Sequence, residues 1–193
     1  MTHLQALDPK EATGRSKELF EGIQAKLGMV PNMMKTMGNS SVVLEGYLNL
    51  SEILGKGSLG GKLGELLALT VAENNACNYC LSAHSFIGEK LVGIDTETLE
   101  TARGAVNNDP KIAAALQFAK TLIEKNGRVS AEDVDTVKAA GYSDGAVGEI
   151  VAHVALNIFT NYFNNTANTD IDFPEVKAKI KPDFPVAEAT LLK

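Results

Sequence analysis

GELLALTVAENNACNYCLSAHSF, residues 64 to 86, holds both cysteines of the chain, Cys77 and Cys80, and one of its three histidines, His84. The segment KLGELLALTVA, 62 to 72, is apolar on most helical faces, so it belongs in the middle of a bundle rather than on its surface. The Glu73-Asn74-Asn75 triplet then breaks the pattern. Because Asn is a good N-cap, a second helix is expected to begin near Asn75 to Cys77 and to continue through His84 to Lys90. Two consecutive helices, the first buried on nearly all sides, make this an all-α chain built around residues 60 to 90.

The flanks carry the same signals. Asp8-Pro9-Lys10-Glu11 offers a cap, a proline at the first helical position and a capping-box glutamate, and predicts a helix through Leu19, Phe20, Ile23 and Leu27, stopped by Gly28. A second apolar period runs through Val43, Leu44, Tyr47, Leu48, Leu50 and Leu54 until GKGSLGG interrupts it. Asp109-Pro110 repeats the cap-plus-proline signature before Ile112, Ala115, Leu116, Ala119, Leu122 and Ile123. Ser130 heads a short helix that Gly141 ends. GAVGEIVAHVALNIFTNYF, 145 to 163, is a second wholly apolar segment. It aligns with the first without gaps at an offset of 84 residues, Gly57, Gly61, Gly64, Glu65 and Ala68 meeting Gly141, Gly145, Gly148, Glu149 and Ala152. The expectation is a single-domain helical bundle over residues 1–193, consistent with two duplicated helical halves. A proline-containing tail from about 170 to 193 is expected to wrap the body or a neighbouring subunit.

Composition narrows the function classes. At 193 residues, 45% hydrophobic and 22% charged, the chain is globular rather than disordered. Its net charge of −6 argues against a nucleic-acid partner, which requires a basic surface. Neither a signal-peptide core nor a membrane-length apolar run is present, so no membrane partner and a cytoplasmic location are expected. In a reducing compartment two lone cysteines are not a structural staple, and a CxxC there points to redox or metal chemistry.

Cysteines in the first turn of a helix face unpaired N–H groups and the positive end of the helix dipole, both of which favour the thiolate. The CxxC spacing brings the two sulfurs within bonding reach. His84 lies four residues after Cys80 on the same face, placed to take or return a proton. Zinc is the rival reading: CxxCxxxH supplies three ligands and Glu65 or Glu73 a fourth, but structural zinc sites draw ligand pairs from two separated segments, and there is no second pair. Glu65 on its apolar helix and Glu73, four residues before Cys77, compete as the assisting carboxylate, and spacing leaves that choice open. His153 reads as a packed core histidine. The run NYFNNTAN reads as a helix-end cap before a ligand site, and Met29, Met33, Met34 and Met37 as a filling for an interface or pocket wall.

The run GELLALTVAENNACNYCLSAHSF resembles the core motif of the alkylhydroperoxidase D-like members of the carboxymuconolactone decarboxylase superfamily. The matching positions are Glu65, Cys77, Cys80 and His84, and the resemblance is strongest over residues 60 to 90. LGMVPNMMKTM upstream and FTNYFNNTANTDIDFP downstream also resemble peroxidase-related relatives. The resemblance implies an all-helical fold assembled as a homo-oligomer, a trimer or a hexamer, with the site beside a subunit interface and with no cofactor or metal. It implies that Cys80 is the peroxidatic thiolate and Cys77 the resolving thiol, with Glu65 and His84 as proton relay. Substrate and donor would be a peroxide and a thiol reductant such as a dihydrolipoyl carrier protein, met by a semi-exposed dithiol. One departure is Tyr79, where the best-known hydroperoxidase has a second histidine between its cysteines. The alternatives are a redox-responsive dithiol protein without turnover and, ranked lower because Lys and Arg are sparse around the motif, a decarboxylase of the same superfamily.

Overall fold

Gly60 to Asn74 forms the central helix of the bundle, and its residues from Leu66 to Glu73 are all buried. Leu66, Leu67, Leu69 and Val71 have no exposed surface, and each such side chain stabilises the fold by about 1.5–3 kcal/mol. The computed structural model describes residues 1–180. These contain nine α-helices and no strand: α1 Gly14–Leu27, α2 Asn32–Met37, α3 Ser41–Gly55, α4 Gly60–Asn74, α5 Asn78–Ile87, α6 Thr96–Ala102, α7 Pro110–Glu124, α8 Ala131–Ala139 and α9 Asp144–Ala167, with a π-helical turn at Gly88–Val92 after α5. α4 packs on α5, α7 and α9 and also touches α6 and α3. This is the single-domain, all-α arrangement that the apolar segments predict.

Local signals act as expected at several ends. Asp109 caps α7 through Lys111 and Ile112 N–H, with Pro110 at the first position, and Ser130 and Asp133 form a capping box on α8. Gly28 ends α1 in the left-handed region at φ 73°. The first helix starts later than predicted. Asp8 accepts from the N–H groups of Lys10, Glu11 and Ala12 and so closes one isolated turn, and Gly14 at φ 54° separates that turn from α1.

Glu149, which the internal alignment pairs with Glu65, does a different job. Its Oε2 accepts from Ser58 N–H (2.7 Å), Leu59 N–H (3.2 Å) and Ser58 Oγ (3.0 Å), satisfying donors at the start of α4. Gly57 permits this approach, since a Cβ there would stand 2.6 Å from Glu149 Oε2. His153 is half-buried against Gly64 with its pKa lowered by burial, as a packed histidine should be.

The tail up to Ile180 wraps the body. Asp172 accepts from Asn32 N–H (2.7 Å), Val176 N–H donates to Ser82 Oγ, Ala178 N–H to Asn78 Oδ1, and Lys179 and Ile180 N–H to Glu73 Oε1. Phe173 packs edge-on against Tyr79 and tilted against Phe86. The part of the expected tail from 181 to 193 lies outside the described residues.

Candidate active site

α4 ends because Asn75 and Ala76 leave helical geometry: Ala76 sits at φ 48°, and its N–H and that of Cys77 fold back onto the Glu73 and Ala72 carbonyls. The N-cap of α5 is therefore Cys77 and not Asn75, which serves as the C-cap of α4. The expected helix also stops at Ile87 rather than Lys90, giving way to the π turn. The tight connection reverses the chain, so α5 runs back along α4. With about 1.5 Å rise per residue in both helices, a residue some way into α5 meets one a similar distance before the end of α4. His84 and Glu65 are that pair, Nδ1 to Oε2 at 2.8 Å.

Cys77 and Cys80 are both reduced, with their sulfurs 2.9 Å apart and Cys77 Sγ donating to Cys80 Sγ. As N-cap, Cys77 accepts from the Cys80 N–H at 3.4 Å. The expectation of a semi-exposed dithiol is corrected: Cys77 is 0% and Cys80 2% exposed, because α4, the start of α5 and α9 enclose them. The neighbouring His84 and Glu65 side chains are more open, 25% and 19% exposed.

Burial raises the Cys80 pKa, but the hydrogen bond from Cys77, the charge of His84 and the amides of Asn164 and Asn161 outweigh it and bring the thiol to about 7. Cys77 moves strongly the other way, raised by its bond to Cys80 and by burial. The two sulfurs thus titrate as an acidic thiol and a reluctant one. Burial lowers the pKa of His84, yet the charge and hydrogen bond of Glu65, with Cys80, raise it overall. Tyr47 on α3 faces the same space, its phenol pushed up to about 12 by burial and by Cys80 and Glu65.

Glu73 is drawn away from the sulfurs. It is buried with Arg103, which donates to its Oε2 at 2.7 Å, and its Oε1 holds the tail N–H groups of Lys179 and Ile180. Tyr79 also faces elsewhere, accepting from Met33 N–H at 3.1 Å and packing on Phe173. Among the described residues, no three His, Cys, Asp or Glu side chains stand close enough together to hold a metal. No described helix is long and apolar enough to cross a membrane.

The asparagine run divides its work. Asn168 caps α9 at φ 48°, as the cap reading predicts, and Asn165 donates to the Asn75 carbonyl. Asn164, which the cap reading misses, donates through Nδ2 to Cys80 Sγ (3.3 Å) and Met33 Sδ (3.1 Å). The signal for it was its spacing: Asn157, Asn161 and Asn164 recur at four and three residues along one apolar helix, which aligns their amides on one buried face.

No family model matches the chain, and no curated protein matches it. Solved structures do. An uncharacterised peroxidase-related protein from Silicibacter sp. TM1040 is 25% identical at a TM-score of 0.75, over 88% of this chain and 94% of that one. An uncharacterised peroxidase-related protein with an alkylhydroperoxidase AhpD core, from Ralstonia eutropha JMP134, is 19% identical at a TM-score of 0.80, over 89% and 92%. The debrominase Bmp8 is 23% identical at 0.74, over 89% and 93%. The fold is thus that of the alkylhydroperoxidase D-like, peroxidase-related structures, across nearly the whole chain.

Proposed function

We propose that this alkylhydroperoxidase D-like chain is a thiol-dependent peroxidase that reduces hydroperoxides by a dithiol/disulfide cycle, with Cys80 as attacking thiolate, Cys77 as resolving thiol and Glu65 with His84 as proton relay. The observation that supports it most is the asymmetry of the sulfur pair: Cys80 accepts from Cys77 Sγ and Asn164 Nδ2 one turn from a carboxylate-bound imidazole, whereas Cys77 accepts only a backbone N–H.

Cys80 thiolate attacks the terminal oxygen of the hydroperoxide. An S–O bond forms as the O–O bond breaks, the sulfur is oxidised by two electrons to a sulfenic acid, and the alkoxide leaves with the proton of His84. The relay then takes the proton of Cys77, whose thiolate attacks Cys80; the S–S bond forms and the hydroxyl leaves as water. An outside dithiol, such as a dihydrolipoyl carrier protein, restores both thiols by exchange. Because the sulfurs are buried and the relay is not, peroxide reaches Cys80 past His84 and Glu65. The resemblance extends the proposal to assembly of the chain with copies of itself in a trimer or hexamer, to which exposed apolar side chains such as Val42 and Ile53 on α3 and Tyr162 on α9 are available. Cytoplasmic residence suits a dithiol that must be kept reduced.

Cys80→Ser should abolish steady-state peroxide consumption coupled to a dithiol donor, and a wild-type rate in that variant would sink the proposal. Consumption that halts after one equivalent per chain would instead mark a redox-responsive protein. A second reading comes from the neighbour named a debrominase, also solved with 2,3,4-tribromopyrrole. The same acidic thiolate and protonated imidazole are what reductive removal of bromine requires: sulfur takes Br, carbon takes the proton, and Cys77 expels bromide to leave the disulfide. Tribromopyrrole and hydroperoxides assayed side by side separate the two.

A further inference from the structure

Cys80 is 2% exposed, and among the described residues no fixed cation lies among its hydrogen-bond partners, which are Cys77 and Asn164. Cys77 and His84 on α5, Glu65 on α4 acting through His84, Tyr47 on α3 and Tyr79 are the titratable groups around it. α9 contributes only amides there. Asn164 is 2% exposed, and both protons of its Nδ2 are spoken for, by Cys80 Sγ and Met33 Sδ. Asn161, one turn earlier, is 0% exposed. Its Oδ1 accepts from Asn75 Nδ2 at 3.0 Å, which fixes the amide so that its Nδ2 is turned from Asn75, and that donor makes no hydrogen bond of normal geometry although it is near enough to Cys80 to favour the thiolate. A buried amide N–H left unpaired is costly to the folded state. Such a cost is tolerated where the donor serves a state of the site, and the chargeable atom beside α9 is the Cys80 sulfur.

We infer that Asn161 and Asn164 form an amide cradle that holds Cys80 as a buried thiolate, supplying by dipoles on α9 the stabilisation that a lysine or arginine would otherwise give. The inference rests on the assignment of Cys80 as the attacking sulfur. N–H bonds to an anion are about twice as strong as those between neutral groups, so the cradle favours the ionised over the neutral thiol. Asn75 extends it: by bonding Asn161 Oδ1, and by receiving Asn165 Nδ2 on its carbonyl at 2.9 Å, the residue two before Cys77 locks the turn between α4 and α5 to α9. The cradle and the dithiol are thereby held in register although more than eighty residues separate them in sequence.

The test follows thiolate formation rather than turnover. In Asn164→Leu and Asn161→Leu, thiolate absorbance and alkylation by iodoacetamide are measured against pH, with Cys77→Ser and Cys80→Ser assigning the sulfur and circular dichroism checking the fold. Folded variants should show roughly tenfold less Cys80 alkylation near neutral pH and a midpoint moved upward, and Asn164→Gln should restore part of it. An unmoved midpoint in folded variants overturns the inference. Should the leucine variants fail to fold, the wild-type chain labelled with ¹⁵N-asparagine answers instead: side-chain amide resonances of Asn161 and Asn164 should shift through the Cys80 midpoint, and flat resonances overturn the cradle. A chain that shows these shifts but consumes no peroxide keeps the cradle and loses the peroxidase, whereas peroxide turnover with a fixed midpoint does the reverse.

Discussion

Replacing Glu65 by Gln tests the relay without touching a sulfur. The amide has the size of the carboxylate and can still accept from His84 Nδ1, now 2.8 Å from Oε2, but it removes the negative charge that opposes the burial of the imidazolium. A charge-assisted hydrogen bond contributes about 1.5–3 kcal/mol. With the side chains 25% and 19% exposed, solvent screens part of this, and the lower end applies. The ratio of imidazolium to imidazole at His84 should then fall about tenfold at a given pH, since 1.36 kcal/mol corresponds to one decade. The loss propagates to Cys80, because the charge of His84 is among the causes that lower its pKa. The assay is proton NMR of the ring Cε1–H resonances against pH, the three histidines being assigned by single substitutions. His84 should titrate at lower pH in the variant, and His153, which feels Glu65 only at a distance, should move slightly in the same direction. Peroxide turnover at neutral pH should drop by about the same factor. An unchanged His84 titration would show that the carboxylate does not set the charge of the imidazole, and the relay would fall with it.

Three further outcomes follow from the same geometry. The pH profile of kcat/KM should be bell-shaped: the rising limb near 7 marks ionisation of Cys80, whose lowered pKa makes it inactive below and active above that point, and the falling limb marks loss of the proton from His84, whose raised pKa delays that loss. A profile that rises to a plateau with no falling limb would remove His84 as proton donor. Glu73→Ala should cost about 3–5 kcal/mol in urea unfolding, because it strands the buried Arg103 and frees the tail N–H groups of Lys179 and Ile180, and a loss below 1 kcal/mol would contradict that role. In Cys77→Ser, one equivalent of peroxide should leave a sulfenic acid on Cys80 that dimedone traps, whereas Cys80→Ser should yield no adduct; labelling at Cys77 would exchange the roles of the sulfurs.

Much of the fold is legible because α4 is apolar nearly all round, and a helix without a polar face goes to the centre of a bundle; α9, read the same way, instead leaves Val151, Phe159 and Tyr162 exposed along one face. Caps made of short-range chemistry, Asp109 with Pro110 and Ser130 with Asp133, are equally readable. Asp8-Pro9 misleads for a reason the sequence contains, Gly14, whose left-handed backbone ends one turn before another begins. The N-cap of α5 falls at the end of the expected range from Asn75 to Cys77. Asn75 is a better cap than cysteine by propensity, yet Ala76 at φ 48° places Cys77 at the cap and its sulfur on the Cys80 N–H. That geometry depends on how α5 folds back on α4, which no local preference encodes.

The candidate site divides along the same line. Cys77, Cys80 and His84 lie within eight residues at spacings of three and four, so two successive helical turns make them neighbours. Choosing Glu65 over Glu73 needs the reversal at Ala76, because Glu73 is nearer in sequence but is held by Arg103 thirty residues away. Asn161 and Asn164 need still more, the packing of α9 on α5. An amide on an apolar helix reads as a blemish in the hydrophobic pattern until its partner is known. Two such blemishes one turn apart, both buried and with one donor unpaired, have a physical explanation once the ionisable Cys80 sulfur, to which Asn164 donates, lies beside them. Polar interruptions of a buried helix that share a face are therefore the part of this sequence that points from α9 toward α5, and they locate the charged atom of the site from the opposite side of the bundle to the cysteines themselves.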